Sequence, residues 1–208
     1  MKKVAVLIDG GYLSKIYKRQ LSKNLTPGVI LKLVEEKILQ RPHEELFRLY
    51  YYDAPPFGKE ITNPIDNSTT DFSKTPLFTA VNDFHRELAE TDFVALRKGK
   101  LSFGGWKLTR GAINNIKKTG AIEPSDITPD FKQKAVDMKI GLDIAWLATK
   151  KIVEIIALVT ADNDFIPAMK FARKEGIHIT IAKIDSLNTY MRQHADKIID
   201  IDIKTLEL

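Results

Sequence analysis

The 208-residue chain contains no cysteine. Disulfide bonds, iron–sulfur clusters, cysteine zinc sites and cysteine nucleophiles are therefore excluded. Histidine is scarce as well, with four residues whose spacing matches no metal-binding motif. The sequence also lacks a Gly-x-Ser-x-Gly nucleophile elbow and a Walker-type phosphate loop. These absences remove the common sequence signatures of thiol, zinc, serine and P-loop nucleotide chemistry.

Long hydrophobic runs are missing too. Only five apolar residues stand between Lys3 and Asp9, fewer than the apolar core of a signal peptide contains. No stretch approaches the ~20 apolar residues of a membrane span. Hydrophobic residues still make up 44% of the chain and charged residues 28%, which argues against disorder. We therefore expect a soluble, cytoplasmic, globular protein with no membrane partner.

Short apolar runs alternate with helical patterns along the chain. Near-continuous apolar runs are typical of strands buried on both faces of a parallel sheet. Such runs predict strands at Val4–Ile8, Leu46–Tyr52, Phe93–Arg97, Ile155–Thr160 and Ile177–Ala182. Helical periodicity predicts helices at Pro27–Leu39, Leu77–Ala89, Ala135–Ala148 and Phe165–Glu175. The alternation predicts an α/β fold, a three-layer Rossmann-like sandwich around a mainly parallel sheet of about five strands.

Two stretches interrupt this alternation. Residues 53–76 are rich in proline and polar turn residues, which predicts a long surface loop of a kind that often carries function. Residues 97–127 predict a basic, irregular segment. No linker, internal repeat or low-complexity tract divides the chain, and we expect one domain over residues 1–208.

Aspartates follow two of the predicted strands at their carboxyl ends. Asp9 follows the first strand, and Asp162 and Asp164 follow the fourth. In open α/β sheets this edge holds the ligand crevice, at the point where the strand order reverses. The helix before the fourth strand begins at the same edge, with Asp137 near its start. Asp143 lies six residues further on, which is not a same-face spacing on a helix.

Carboxylates that converge on one edge repel one another and either take up protons or bind cations. Oxygen ligands without histidine or cysteine favour Mg²⁺ or Mn²⁺, and such a site supports metal-assisted phosphoryl transfer. Simpler interpretations remain open for each acid. Asp9, Asp162 and Asp164 could cap the helices that follow them. Asp137 could interact with the dipole of its helix, and Asp143 could be a solvated surface residue.

Three blocks of sequence resemble the LabA-like branch of NYN domains, in the PIN-like nuclease superfamily. The blocks are Ile8-Asp9-Gly10-Gly11, Lys134-Ala135-Val136-Asp137 through Leu142-Asp143-Ile144, and Val159 to Pro167. The resemblance runs from Val4 to about Ile184 and implies a Rossmann-like, PIN-like fold, bound Mg²⁺ or Mn²⁺, and RNA hydrolysis. It implies metal ligation by Asp9, Asp137, Asp162 and Asp164, and it adds Asp143 to these four as a catalytic acid.

A basic stretch without any acidic residue runs from Arg97 to Ile122. Cations interleaved with aromatic rings are what a track for single-stranded nucleic acid needs. We assign RNA binding to Arg97, Lys98, Lys100, Trp106, Lys107 and Arg110. The alternative is a solvated hairpin whose rings, Phe103 and Trp106, lie in the core. Gly10-Gly11 is similarly ambiguous, since it suits either a phosphate at the next helix or a tight turn.

The leading hypothesis is a metal-dependent ribonuclease with Mg²⁺ or Mn²⁺ as cofactor and single-stranded RNA as partner. A non-catalytic RNA-binding or regulatory PIN-like module is the main alternative, because Tyr12 stands where many NYN domains have asparagine. A nucleotide-sugar transferase is the third, because Asp162-Asn163-Asp164 is also an Asp-x-Asp metal motif; it leaves Asp9, Asp137 and the basic stretch unexplained. DNA as substrate, the mode of cleavage and homo-oligomerisation stay open.

Overall fold

A computed structural model describes residues 1–206. The strands within this range are β1 (Lys2–Asp9), β2 (Glu44–Asp53), β3 (Glu60–Thr62), β4 (Thr69–Asp71), β5 (Val94–Lys98), β6 (Lys100–Leu108), β7 (Ile127–Lys134), β8 (Ile155–Val159), β9 (His178–Lys183) and β10 (Lys197–Asp200). The α-helices are α1 (Gly10–Leu21), α2 (Pro27–Lys32), α3 (Pro76–Glu90), α4 (Ala112–Thr119), α5 (Val136–Lys150), α6 (Ile166–Lys174) and α7 (Thr189–Arg192). A π-helical turn, Leu33–Ile38, continues α2.

The chain divides into two compact units. Unit 1 comprises Met1–Asp53, Phe84–Gly99 and the chain from Ala135 onward, and unit 2 comprises Ala54–Asp83 and Lys100–Lys134. The predicted strands all lie in unit 1, whereas most of the two interrupting stretches lies in unit 2. A single domain over residues 1–208 stays a prediction. None of the helices in residues 1–206 is long and apolar enough to cross a membrane.

Unit 1 is built on a six-stranded sheet in the order β10-β9-β8-β1-β2-β5. All of its strand pairs are parallel. The chain passes from β1 through β2 to β5, returns to β8 on the other side of β1, and continues to β9 and β10. The strand order therefore reverses between β1 and β8. The predicted α/β fold is confirmed, with one strand more than expected, because β10 is a four-residue edge strand with a weak apolar signal.

Helices cover both faces of this sheet. Alternate residues of β1 point to opposite sides, as the two-residue period of a strand requires. Val4, Val6 and Ile8 join one apolar layer with α1 and α2, whereas Ala5 and Leu7 join the other with α5 and α6. Burial on both faces explains why β1 is a continuous apolar run in the sequence.

Unit 2 corrects the expectation for residues 97–127. This stretch is not irregular: it contains β6 and α4, and β6 pairs with β7 in a two-stranded antiparallel sheet. The pairing register shifts between Phe103 and Trp106, and Gly105 there has a φ of +107°. This bulge interrupts the strand period, so the residues of β6 do not alternate in the way that predicts a strand. Within the expected loop at residues 53–76, β3 and β4 also form a short hairpin.

Gly10 starts α1 directly against the ring of Tyr51. A Cβ atom at position 10 would lie 2.6 Å from two carbon atoms of that ring. Tyr51 is fully buried and packs edge-on against Phe84, with ring centroids 5.7 Å apart, so its ring has little room to move. Close packing thus requires glycine here, independently of the phosphate or turn interpretations.

We expect Gly10→Ala to lower the free energy of unfolding by about 1–3 kcal/mol, the usual effect of overpacking a core. Denaturant titration measures the change. The matched control is Gly141→Ala in α5, where a new Cβ meets no atom within 4 Å. That variant should be neutral or slightly stabilising, because alanine is the better helix former. Equal stabilities of the two variants would contradict the packing argument.

Candidate active site

Asp9 and Asp162 flank the position where the strand order reverses. Asp9 is the last residue of β1, and Asp162 follows β8 after two intervening residues. The strands are neighbours, with Ile8 opposite Val159. Asp137 lies in the first turn of α5, which is the condition for it to reach this edge. The structure therefore brings together the acids that the strand-end argument selected.

The pKa values indicate that four carboxylates act on one another. Burial raises the pKa of Asp9, backbone hydrogen bonds partly offset this, and the charges of Asp137 and Asp162 raise it further. Burial also raises the pKa of Asp137, and the charges of Asp162 and Asp164 add to the effect. We call Asp9, Asp137, Asp162 and Asp164 the carboxylate cluster. Like charges gathered in this way are stabilised by a cation.

Backbone hydrogen bonds hold two members of the cluster in place. Asp9 caps α1, since its Oδ1 accepts a hydrogen bond from the Tyr12 amide at 3.1 Å. Asp162 caps the following 3-10 turn in the same way, with 2.9 Å between Oδ1 and the Asp164 amide. The capping interpretation is therefore correct for both, and it is compatible with a shared site. Tyr12 contacts Asp9 through its backbone, so this hydrogen bond does not depend on the side chain at position 12.

The donor chemistry of the cluster fits a hard divalent cation, because carboxylate oxygens are the preferred ligands of Mg²⁺ and Mn²⁺. The carboxylates of the cluster are further apart than the ligands of a bound metal ion. In the part of the chain that the structure describes, no three His, Cys, Asp or Glu side chains are arranged to hold an ion. Binding of one ion by three of these carboxylates therefore requires some of the side chains to rotate. Asp137 and Asp164 are exposed, which leaves their side chains free to rotate towards an ion.

Asp143 does not belong to this cluster in the structure. The Tyr52 hydroxyl donates a hydrogen bond of 2.8 Å to Asp143 Oδ2, and Arg97 Nε lies 3.0 Å from the same oxygen. The guanidinium of Arg97 lies over the Tyr50 ring, 5.4 Å from its centroid. Two residues expected in different roles, a catalytic acid and an RNA contact, thus form an ion pair. The reason is helical geometry: six residues turn Asp143 by about 240° from Asp137.

The residues assigned to RNA binding are divided between the two units. Arg97 and Lys98 belong to β5 in unit 1; the others lie in unit 2, where Lys100, Lys107 and Arg110 are exposed. Lys107 forms an ion pair of 2.7 Å with Asp130.

The aromatic rings of this stretch lie within unit 2. Trp106 is half-buried and packs edge-on against Phe103, with ring centroids 5.9 Å apart. Phe103 in turn adjoins a cluster of rings that includes Phe57 and Phe131. These contacts support the alternative in which both rings are part of a hairpin core.

Sequence reasoning missed three polar side chains near the cluster: Tyr52, Lys170 and Tyr190. Tyr52 had a usable signal, because it ends an aromatic run on the strand beside β1 and lies opposite Asp9 in the register. Lys170 and Tyr190 come from α6 and α7, and no sequence spacing links them. Their proximity depends on tertiary packing alone.

A pair of substitutions at Asp9 separates its charge from its capping role. An acid with a raised pKa stabilises the fold at low pH and loses that contribution as the pH rises through its folded pKa. At pH 7 without metal, Asp9→Asn should therefore raise the free energy of unfolding, since asparagine keeps the cap. Asp9→Ala should be about 1 kcal/mol less stable than Asp9→Asn, because it loses the cap. Denaturant titrations in chelator test both, and a destabilised Asp9→Asn would contradict the electrostatic argument.

A parallel α/β sheet with acids at its strand-order reversal defines a Rossmann-like class of fold. The family model of the NYN domain matches residues 3–202, nearly the whole chain. The chain belongs to the NYN domain family. This family is generally one of nuclease-like, PIN-like ribonuclease domains.

A solved structure supports the same fold. A protein of unknown function, VPA0982 from Vibrio parahaemolyticus, aligns with a TM-score of 0.57 and 15% identity over 97% of this chain and 93% of that chain. A solved structure from work on the structural basis of sirtuin substrate affinity aligns over 99% of this chain and 90% of that chain. Its TM-score of 0.35 and its identity of 9% are too low to support a common fold. No curated protein matches the chain.

Proposed function

We propose that the protein is a metal-dependent ribonuclease that hydrolyses RNA phosphodiester bonds at the carboxylate cluster. The observation that carries this proposal is the convergence of four aspartates at the strand-order reversal, where burial, with a further contribution from neighbouring acids, raises the pKa of Asp9 and that of Asp137. Membership of the NYN family supports RNA as the substrate class. The sequence blocks around Asp137 and Asp162 support placement in the LabA-like branch.

Asp9, Asp137, Asp162 and Asp164 would hold Mg²⁺ or Mn²⁺. A bound ion of this kind lowers the pKa of water and stabilises charge on the leaving oxygen. The protein's own contribution is orientation. The Tyr12 amide donates a hydrogen bond to one oxygen of Asp9, and the Asp164 amide donates one to Asp162. The orientation of each carboxylate is thereby fixed, and its second oxygen stays available to an ion. Without a cation, the four acids would repel an RNA phosphate, so RNA is expected to bind more weakly in chelator than in Mn²⁺ or Mg²⁺, without losing its other contacts.

Asp143 takes a different part in this proposal from the one its sequence context implied. Because Arg97 neutralises it, Asp143 is better suited to position Arg97 than to bind metal. Arg97, stacked on Tyr50 and tied to Asp143, would present a fixed cation to the RNA backbone. Lys98, Lys100, Lys107 and Arg110 remain proposed phosphate contacts. Trp106 is the weakest member of the proposed set, since its ring packs on Phe103.

The test is cleavage of labelled single-stranded RNA in Mn²⁺ or Mg²⁺, beside the same reaction in excess chelator. We expect cleavage that requires the ion. Single-stranded DNA of the same sequence, run in parallel, reports substrate class. RNA binding that persists in chelator, with no cleavage at any metal concentration, would favour the regulatory module instead. Cleavage that continues in chelator would contradict the metal-dependent mechanism.

A further inference from the structure

A cavity of about 450 Å³ lies beside the carboxylate cluster within unit 1. Asp164 belongs to both, because it is a member of the cluster and also lines the cavity. The other lining residues are Asn163, Ile166, Pro167, Lys170 and Tyr190. The cavity therefore combines two apolar side chains and two polar ones with one cation and one aromatic ring, immediately next to the proposed cleavage site.

The ring of Tyr190 is exposed and yet held in position. Tyr190 is 52% exposed, whereas Met191 beside it is fully buried and anchors α7 to the core. The amide of Tyr190 donates a hydrogen bond of 2.8 Å to the side chain of Asn188. His194 packs edge-on against the ring, with centroids 5.1 Å apart. A rigid exposed ring of this kind is a platform on which a nucleobase can stack.

Lys170 adds positive charge to the same platform. Its Nζ lies 5.8 Å from the centroid of the Tyr190 ring, within the range of a cation–π contact. Lys170 and Asp164 line the same cavity. Lys170 and the cluster are thus close enough for one short strand to reach both. A ring for the base and an ammonium for the phosphate are the two elements of single-strand recognition.

We propose that this cavity is a binding subsite for a nucleotide of single-stranded RNA adjoining the cleaved bond, with the base stacked on Tyr190 and its phosphate held by Lys170. The identity of the ligand as RNA rests on the proposed function. The subsite shares Asp164 with the carboxylate cluster, and it lies outside the basic stretch at residues 97–122. It would set where along the strand cleavage occurs.

The test measures binding of a fluorescent single-stranded RNA in excess chelator, where the proposed hydrolysis does not run. Tyr190→Ala should weaken binding about 5- to 100-fold, the usual effect of losing one base stack. Tyr190→Phe keeps the ring and should stay within about twofold of the wild type. Lys170→Ala should reduce the slope of log affinity against log salt by about 0.7, as loss of one phosphate contact to a single strand does.

Two controls separate stacking from general effects. Phe171→Ala removes a ring that is 40% exposed on the same helix as Lys170 but does not line the cavity, so RNA binding should be unchanged. An abasic oligonucleotide keeps the sugar–phosphate backbone and lacks bases. Tyr190→Ala should bind this probe as the wild type does, whereas Lys170→Ala should still bind it more weakly. Thermal melts of each variant report whether the fold is retained.

Wild-type affinity in Tyr190→Ala would overturn the proposal, as would an equal loss for RNA and the abasic probe. Absence of RNA binding by the wild type would overturn it as well. Failure of the proposed function gives a different result, namely no cleavage in Mn²⁺ while Tyr190-dependent binding persists. Conversely, metal-dependent cleavage with unaltered binding by Tyr190→Ala would reject the subsite and retain the ribonuclease.

Discussion

Asp162→Asn is expected to reduce RNA cleavage by about 100-fold or more. Asparagine can still accept the hydrogen bond from the Asp164 amide, so the turn after β8 should be preserved. What is lost is a carboxylate at the edge where the ion would bind. Charge stabilisation by a metal is worth several kcal/mol, and each 1.36 kcal/mol corresponds to about tenfold in rate. Single-turnover cleavage of labelled RNA measures the loss.

The matched control for this substitution is Asp92→Asn. Asp92 is exposed and precedes β5, so it lies at the amino edge of the sheet, opposite the carboxylate cluster. Its removal changes net charge by the same amount and should leave cleavage unchanged. Asp9→Asn should behave like Asp162→Asn. A rate for Asp162→Asn within about threefold of the Asp92→Asn rate would remove Asp162 from the catalytic set.

Divalent cations are expected to stabilise the folded protein strongly. The acids of the cluster repel one another in the absence of metal, and an ion that binds only the folded state stabilises it by mass action. At a concentration 100 times its dissociation constant, the ion adds about 2.7 kcal/mol. For a chain of this size, that corresponds to a rise in Tm of ~5–10 °C. Thermal melts in Mn²⁺ and in chelator measure the shift.

Asp137→Asn separates ligation from general salt effects in the same experiment. Asp137 is exposed in the first turn of α5, so the substitution should leave the fold intact while removing one ligand. We expect a clearly smaller Mn²⁺ shift for this variant and an unchanged shift for Asp92→Asn. An equal rise in Tm with KCl at matched ionic strength would mean that screening, rather than ligation, stabilises the protein.

The sheet was predictable from the sequence because its strands are buried on both faces. β1 and β8 are continuous apolar runs, a pattern typical of strands in the middle of a parallel sheet. β6 was not recognised, since its alternation is interrupted at Gly105, where the chain adopts a positive φ. β10 was missed because four residues at a sheet edge leave little pattern to detect. Uninterrupted burial, rather than strand length alone, made β1 and β8 recognisable from the sequence.

The candidate site was predictable as far as topology determines it. Strand ends place Asp9 and Asp162 at one edge, and the antiparallel path of the connecting helix adds Asp137. The pairing of Asp143 with Arg97 was not predictable, because it depends on the rotation of α5 and on which strand lies beside β2. The contact between Lys170 and Tyr190 depends on how α6 and α7 pack, which local pattern does not encode.

The most direct test of the account is single-turnover cleavage of single-stranded RNA by wild-type protein and Asp162→Asn under three conditions. The conditions are Mn²⁺, excess chelator, and Mn²⁺ restored in excess over the chelator. We expect the wild type to cleave RNA in Mn²⁺, to be inactive in chelator, and to cleave again once Mn²⁺ is restored. Asp162→Asn should be inactive under all three conditions and should fold as the wild type does. Cleavage by the wild type in chelator, or undiminished cleavage by Asp162→Asn, would contradict a metal-dependent ribonuclease at the carboxylate cluster.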